Sequence, residues 1–223
     1  MPRPPLLMHL AVWSQLLPPV MVATRRARGV RARVWTALAM LASVGGDTAQ
    51  LLIGRQGINN LWVGYISTAV TGILVVGALA NWQVTARARR LMYFALALYV
   101  VVFLMTSALD DPQHFSLLAI PAHSIMVLLL SLWTLITNAL EPRQQALTRH
   151  DWFWACLGFA LLYGASSAVQ PLLRMLLAEG KLADMMSVLY FKAGLQIAAM
   201  LLITVGMLCP VQAPSGPSSL PAR

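Results

Sequence analysis

Three ionisable side chains lie inside long apolar runs of this sequence. Lys192 stands near the middle of one run, and Asp47 and His123 lie within two others. A charge at membrane depth costs about 3 kcal/mol or more, unless it is paired or lines a wet cavity. Because Lys192 and Asp47 carry opposite charges, the sequence predicts a buried charge pair. Together with a histidine, such groups could bind a polar ligand or relay protons.

These three groups are expected at one depth. With a helix rise of ~1.5 Å per residue, Lys192 lies ~13 Å, His123 ~12 Å and Asp47 ~10 Å below the same membrane surface. That surface is the outer one in the orientation argued below. We therefore expect a common polar level in the outer half of the membrane.

Further polar residues follow at helical spacing. Gln50 comes three residues after Asp47, Gln196 comes four after Lys192, and Tyr65 lies near the same level in another run. Helical spacing puts such neighbours on one face, and intramembrane polar groups avoid lipid. The sequence predicts an outward-facing polar pocket among the second, third, fifth and seventh runs. Its candidate ligand-binding or proton-relay residues are Asp47, Gln50, Tyr65, His123, Lys192 and Gln196.

A simpler interpretation exists for each charged or titratable candidate. Asp47 and Lys192 could only hold two helices together, although polar contacts between membrane helices average just ~0.6 kcal/mol. His123 could be a neutral, hydrogen-bonded core histidine.

Composition indicates the elements that must position these residues. The chain has 223 residues, of which 59% are hydrophobic and 10% charged, whereas soluble domains have ~45–50% apolar and ~25% charged residues. Seven apolar runs have the length of about 20 residues that crosses a bilayer as a helix. They are 5–23, 34–53, 60–82, 91–109, 115–140, 152–177 and 183–207. We expect an all-α bundle of seven transmembrane helices over 1–209 and a disordered cytoplasmic tail over 210–223.

The first run could be mistaken for a signal peptide. A signal peptide has basic residues before its apolar segment, but here Arg3 stands alone in front and five arginines follow between 25 and 33. We therefore interpret the run as a spanning helix, with kinks expected at Pro18 and Pro19.

Basic residues alternate between the connecting segments. The first, third and fifth loops carry ten of them, and the second, fourth and sixth carry three. Basic loops stay in the cytoplasm, which predicts an outer N-terminus and a cytoplasmic C-terminus, in a bacterial plasma (inner) membrane. The arginines between 25 and 33 are interpreted as a topology signal rather than an anionic-lipid site. The net charge of +9 therefore does not indicate nucleic acid; the expected partners are the lipid bilayer, a small-molecule or lipid ligand, and a signalling protein.

Metal and cofactor signals are missing from the sequence. Asp110 and Asp111 are adjacent on a loop, but two carboxylates supply too few oxygens for a divalent cation. We expect both to be solvated. We also expect no metal and no cofactor.

Three classes of function remain open. The first is a small-molecule or lipid-binding sensor or accessory protein. The second is a small transporter that uses Asp47, His123 and Lys192 for proton coupling. The third is an intramembrane enzyme with His123 as general base and Asp47 as its orienting group. The enzyme has the least support, because no serine–histidine signature or carboxylate pair is present, and we expect a protein without catalytic activity.

Two resemblances concern the plan of the chain. A lysine halfway along the last of seven helices resembles the plan of microbial rhodopsins, and that resemblance implies retinal bound to Lys192. Val188 stands where that family commonly has an aspartate, and the third run carries no carboxylate counter-ion. The length and orientation resemble those of the SWEET sugar transporters, but their Pro-Gln pair is reversed here as Gln170-Pro171.

Overall fold

In a computed structural model, residues 6–24, 31–111, 116–141 and 146–210 are described, and their secondary structure is entirely helical. The helices are α1 (Leu6–Ser14), α2 (Leu17–Thr24), α3 (Arg31–Arg55), α4 (Leu61–Trp82), α5 (Ala86–Leu109), α6 (Ala119–Ala139), α7 (Asp151–Ala178) and α8 (Leu182–Leu208), with a short 3-10 turn at Leu147–Arg149. Seven spans are long and apolar enough to cross a membrane, if α1 and α2 count as one. The all-α prediction with seven spans is therefore confirmed, and the protein is a multi-pass membrane protein.

Some predictions concern residues that the structure does not describe. The tail from 211 onward and the basic loop residues Arg25, Arg26, Arg28 and Arg143 lie outside the described residues.

The helix bounds agree closely with the apolar runs. The clearest difference is α5, which begins at Ala86 rather than at 91. Its N-terminus is capped by Thr85, whose Oγ1 accepts a 3.2 Å hydrogen bond from the N–H of Ala88. Such a cap satisfies a backbone donor that the helix itself cannot, so the helix extends into the basic segment that hydropathy alone excludes.

The first span is interrupted at Gln15 and Leu16. Proline has no N–H, so Pro18 and Pro19 cannot donate to the carbonyls four residues earlier, which belong to Ser14 and Gln15. The N–H groups of Gln15 and Leu16 donate instead to carbonyls three residues back, which closes α1 with a tight turn. The expected kink is therefore a full break between α1 and α2.

Small residues bring the helices close together. Gly158 on α7 faces Ile203 on α8, and Gly77 on α4 faces the ring of Trp35 on α3; a Cβ at either glycine would overlap its neighbour. Membrane helices commonly use small residues for such close approach. Side-chain amides add cross-links between α4 and α6: for example, Nε2 of Gln83, just beyond α4, donates to Oγ1 of Thr134 over 2.9 Å.

The apolar residues face both inward and outward. Val75, Phe159 and Met200 are buried in the core, whereas Phe94 and Leu109 on α5 are 70% and 75% exposed. Large exposed apolar faces are unfavourable in water. They suit a bundle whose outer surface contacts lipid.

Arg33 is buried rather than part of a solvated basic loop. Its Nε donates to Oδ2 of Asp151 over 2.9 Å, and its terminal nitrogens donate to the carbonyls of Met207 and Cys209. Only 2% of the Arg33 side chain is exposed. Arg33 therefore has a packing role that its interpretation as a topology signal does not include. The side chain holds the starts of α3 and α7 and the end of α8 together.

Asp110 is not a merely solvated loop residue either. Its carboxylate accepts hydrogen bonds from the Ser116 hydroxyl and from the N–H groups of Leu117, Leu118 and Ala119. These are the unpaired donors at the start of α6, which a carboxylate satisfies well. Asp110 is half-buried and, in addition to contacting solvent, caps the start of α6.

Candidate functional site

A cavity of about 260 Å³ lies within the bundle, towards the end where α3 meets α4. Each of the six sequence candidates lines it: Asp47 and Gln50 from α3, Tyr65 from α4, His123 from α6, and Lys192 and Gln196 from α8. The structure thus brings together polar residues from all four of the predicted helices.

A fifth helix contributes a face that the sequence analysis did not include. Tyr163, Ser166 and Gln170 on α7 all line the cavity. Their spacing of three and four residues places them on one side of the helix. That spacing indicates a polar face on the helix. None of the three side chains is charged, however, and polar faces also occur at ordinary helix contacts.

Asp47 has a direct partner at the break in the first span. Nε2 of Gln15 donates to Oδ2 of Asp47 over 2.8 Å, and Gln15 is only 2% exposed. Interrupted membrane helices place polar groups near the midplane in many transporters. Gln15 was missed by the sequence analysis, although an amide three residues before a proline pair in an apolar run could have indicated it.

The first helix, α1, is also hydrogen-bonded to α8. Nε2 of Gln196 donates to the backbone carbonyl of Ala11 over 3.1 Å. Two glutamines therefore connect the first span to the cavity wall, one through Asp47 and one through the backbone of α1.

Lys192 does not form the predicted direct pair with Asp47. Within the described ranges, no carboxylate or other hydrogen-bond acceptor lies at bonding distance from Nζ of Lys192. The two charges interact electrostatically at longer range, while Gln15 occupies Oδ2 of Asp47. The ammonium group therefore borders the cavity without a direct protein partner among those residues.

His123 is a buried, hydrogen-bonded residue of the cavity wall. It is 5% exposed and lines the cavity, and its Nδ1 lies 2.9 Å from the hydroxyl of Tyr99. The ring of Tyr163 meets it edge-on, with 5.1 Å between ring centroids. No hydrogen bond joins His123 to Asp47 in the described part of the chain. The predicted base-and-orienter contact of an enzyme is therefore not formed.

Two buried hydroxyls in the cavity wall, those of Thr71 and Tyr65, have no hydrogen-bond partner among the described residues. Thr71 is 7% exposed, and its Oγ1 makes no hydrogen bond to any residue in the described ranges. A buried polar group left unpaired costs about 1–3 kcal/mol. A ligand atom or a water molecule inside the cavity would remove that cost.

The lining can hold a polar ligand but does not offer a metal site. One ammonium, one carboxylate, several amides and several hydroxyls supply both donors and acceptors. Across residues 6–24, 31–111, 116–141 and 146–210, no three His, Cys, Asp or Glu side chains converge as metal ligands would. No cofactor is indicated by this lining.

Comparison with known proteins adds no assignment. No protein family model matches this chain, and no curated protein or solved structure was found to match it.

Proposed function

We propose that this multi-pass membrane protein binds a small molecule or a lipid in the polar cavity and acts as a sensor or accessory protein. The observation that carries the proposal is Lys192, an ammonium group in a cavity wall with no direct partner in the described ranges. An intramembrane cation is stabilised by an anionic group or by water. An anionic ligand group beside Nζ would provide that stabilisation and would offset the free-energy cost of a lysine at this depth.

The unpartnered hydroxyl of Thr71 gives independent support. It borders the same cavity as Lys192, so one ligand could satisfy both. Retinal suits this lining poorly, because an apolar polyene would leave the amides and hydroxyls unsatisfied. A protein partner would transmit the signal of such a sensor.

The orientation that we propose has the N-terminus outside and the C-terminus in the cytoplasm. Six described basic residues lie at one end of the bundle and three at the other: Arg31, Arg33, Arg87, Arg89, Arg90 and Arg149, against Arg55, Arg174 and Lys181. The more basic end would face the cytoplasm by the positive-inside rule, which places the cavity in the outer half. We place the protein in a bacterial plasma membrane, where that rule applies.

Native mass spectrometry of the purified protein tests the ligand proposal. We expect a co-purified small molecule or lipid on the wild type, and its loss from Lys192→Met and Asp47→Asn. Lys181→Met is the matched control, because Lys181 lies on the exposed turn between α7 and α8 and pairs with Glu179. A bound molecule that survives both cavity substitutions would refute this site.

Transport is the second candidate, and the interrupted first span favours it. Gln15 at the break contacts Asp47, a candidate proton-relay residue of the cavity, and broken helices commonly form transporter sites. Proton flux into liposomes driven by a pH gradient, abolished by Asp47→Asn but not by Asp184→Asn, would favour transport. Protein-containing liposomes that keep their pH gradient in the presence of the co-purified ligand would favour the sensor.

A further inference from the structure

A second cavity of about 280 Å³ lies between α1, α3 and α8. Four residues line both this cavity and the first one, namely Asp47, Gln50, Lys192 and Gln196. These residues therefore form a shared polar wall, with the first cavity on the bundle side and the second beside α1.

Most of the second cavity is apolar. Its other lining residues include Met8, Val12, Leu51 and Leu189. This composition contrasts with the first cavity, whose lining is rich in amides and hydroxyls. A molecule that occupied both cavities would need a polar end and an apolar end.

The apolar side continues towards the outer surface of the bundle. A third cavity of about 150 Å³ shares His9, Val12 and Leu51 with the second and follows the cleft between α1 and α3. Leu52 and Trp13, which also line it, are each 55% exposed. The cleft therefore leads from the polar wall to a surface that faces lipid in a membrane-spanning bundle.

We infer that the ligand is an amphiphile with one anionic head group and an acyl chain, its head beside Lys192 and its chain along the cleft between α1 and α3. The inference rests on the proposed function and names the ligand class for the same site. The ammonium group of Lys192 attracts a carboxylate or phosphate, and the amides of Gln50 and Gln196 can donate to its remaining oxygens. Because Gln15 already donates to Asp47, repulsion between that carboxylate and the ligand is reduced.

The cleft also gives such a ligand a route. An acyl chain that moves from the bilayer into the cleft passes a largely apolar wall, which also includes His9, Thr48 and Arg55, and only the head group enters the polar cavity. A small soluble anion has no such path and would have to enter from water. The arrangement therefore favours a ligand that is drawn from the membrane.

Binding to the purified protein in a neutral maltoside detergent tests the inference. The probes are palmitate, palmitoyl lysophosphatidate, the head groups acetate and glycerol 3-phosphate, and the uncharged monopalmitoylglycerol. Each Kd is obtained from the rise in Tm with probe concentration, since a ligand that binds only the folded state stabilises it. We expect at least one chain-bearing anion to bind roughly tenfold or more tightly than its own head group and than monopalmitoylglycerol. Comparison of palmitate with lysophosphatidate distinguishes a carboxylate from a phosphate.

Variants separate the two ends of the ligand. Leu189→Trp and, independently, Val12→Trp fill the second cavity without touching the first, so each should weaken the chain-bearing anion roughly tenfold and leave its head group unchanged. Leu201→Trp is the matched control, because Leu201 is 52% exposed on α8 and lines neither cavity. Lys192→Met should weaken every anionic probe.

Other results would overturn the inference. Head groups that bind as tightly as the chain-bearing anions, with no effect of Leu189→Trp or Val12→Trp, would refute the acyl chain and leave the polar-ligand proposal standing. Equal binding of monopalmitoylglycerol, unaffected by Lys192→Met, would refute the anionic head group. Identification of a co-purified ligand with no acyl chain would also refute the amphiphile, whereas the proposed function fails only if ligand binding ignores the cavity substitutions.

Discussion

The phenolic oxygen of Tyr99 lies 2.9 Å from Nδ1 of His123, and Gly72 on α4 leaves the space for this contact. A Cβ at position 72 would overlap the Tyr99 hydroxyl and approach Cε1 of His123. The glycine at position 72 is therefore required for His123 to take its position in the cavity wall.

We predict that Gly72→Ala destabilises the protein by about 1–3 kcal/mol, the usual cost of overpacking. Thermal unfolding in detergent, followed by circular dichroism, measures the effect as a lower Tm. Gly194→Ala is the control, because a Cβ there meets nothing within 4 Å and alanine favours a helix over glycine. Tyr99→Phe in the Gly72→Ala background should recover part of the loss; equal Tm values for the two alanine variants would contradict this packing.

The buried pair of Arg33 and Asp151 predicts a larger effect. Asp151→Ala leaves the Arg33 guanidinium without its counter-charge, which typically costs about 3–5 kcal/mol for a buried pair. The same thermal unfolding assay should show a clear loss, whereas Arg31→Met, at an exposed position of α3, should change the Tm little. A wild-type Tm for Asp151→Ala would show that the pair is not buried in the folded protein.

Two double-mutant cycles rank the contacts of Asp47. Gln15 and Asp47 are hydrogen-bonded, and Lys192 has no direct contact with Asp47. Hydrogen bonds to charged groups contribute about 1.5–3 kcal/mol, so the Gln15→Leu/Asp47→Ala cycle, in which each change removes the hydrogen bond, should show the larger coupling energy. Asp47→Asn with Lys192→Met should still recover part of the single losses, because the charges interact at longer range. A larger coupling in this second cycle would contradict the arrangement of the cavity wall.

The cap at Asp110 predicts a dependence of stability on acid pH. Partial burial raises the pKa of Asp110, but hydrogen bonds from Ser116 and from the start of α6 outweigh it and hold the pKa below its ordinary value of 3.8. A lowered folded-state pKa means that the stabilisation is complete above 3.8 and is lost as the pH falls through the folded value. Asp110→Asn should flatten the fall of Tm over that acid range, and Ser116→Ala should move the fall to higher pH. An unchanged profile in both variants would argue against the cap.

Orientation is tested by cysteine labelling in a background without Cys156 and Cys209. Single cysteines at Gln56 and Glu179, both exposed, should react with an impermeant reagent added outside intact cells, and a cysteine at Thr148 should react only after lysis. Reversed labelling would invert the proposed topology, and labelling of all three from one side would contradict the arrangement of the spans.

The sequence predicts the spans well because a helix in lipid must satisfy its own backbone hydrogen bonds. Length and hydropathy then suffice, as the close bounds of α4 and α8 show. Lys192, Asp47 and His123 were found for a related reason: charges in apolar runs are costly and therefore conspicuous.

What the sequence could not predict depends on contacts between distant segments. The sequence shows Arg33 only as one of five basic residues between 25 and 33, because its burial depends on Asp151, 118 residues away. Gln15 belongs to the site only because the break at Pro18 and Pro19 turns it towards Asp47. The uncharged face of α7 could not be distinguished from a packing face without the neighbouring helices.

The partners of Arg33 also set an order of events during synthesis. Asp151 leaves the ribosome 118 residues after Arg33, and the carbonyls of Met207 and Cys209 follow 174 and 176 residues after it. At ~5–20 residues per second, the guanidinium waits on the order of ten seconds for its carboxylate. During that interval it must remain hydrated at the membrane surface. The end of the bundle that holds Arg33 therefore cannot close until the final helix arrives.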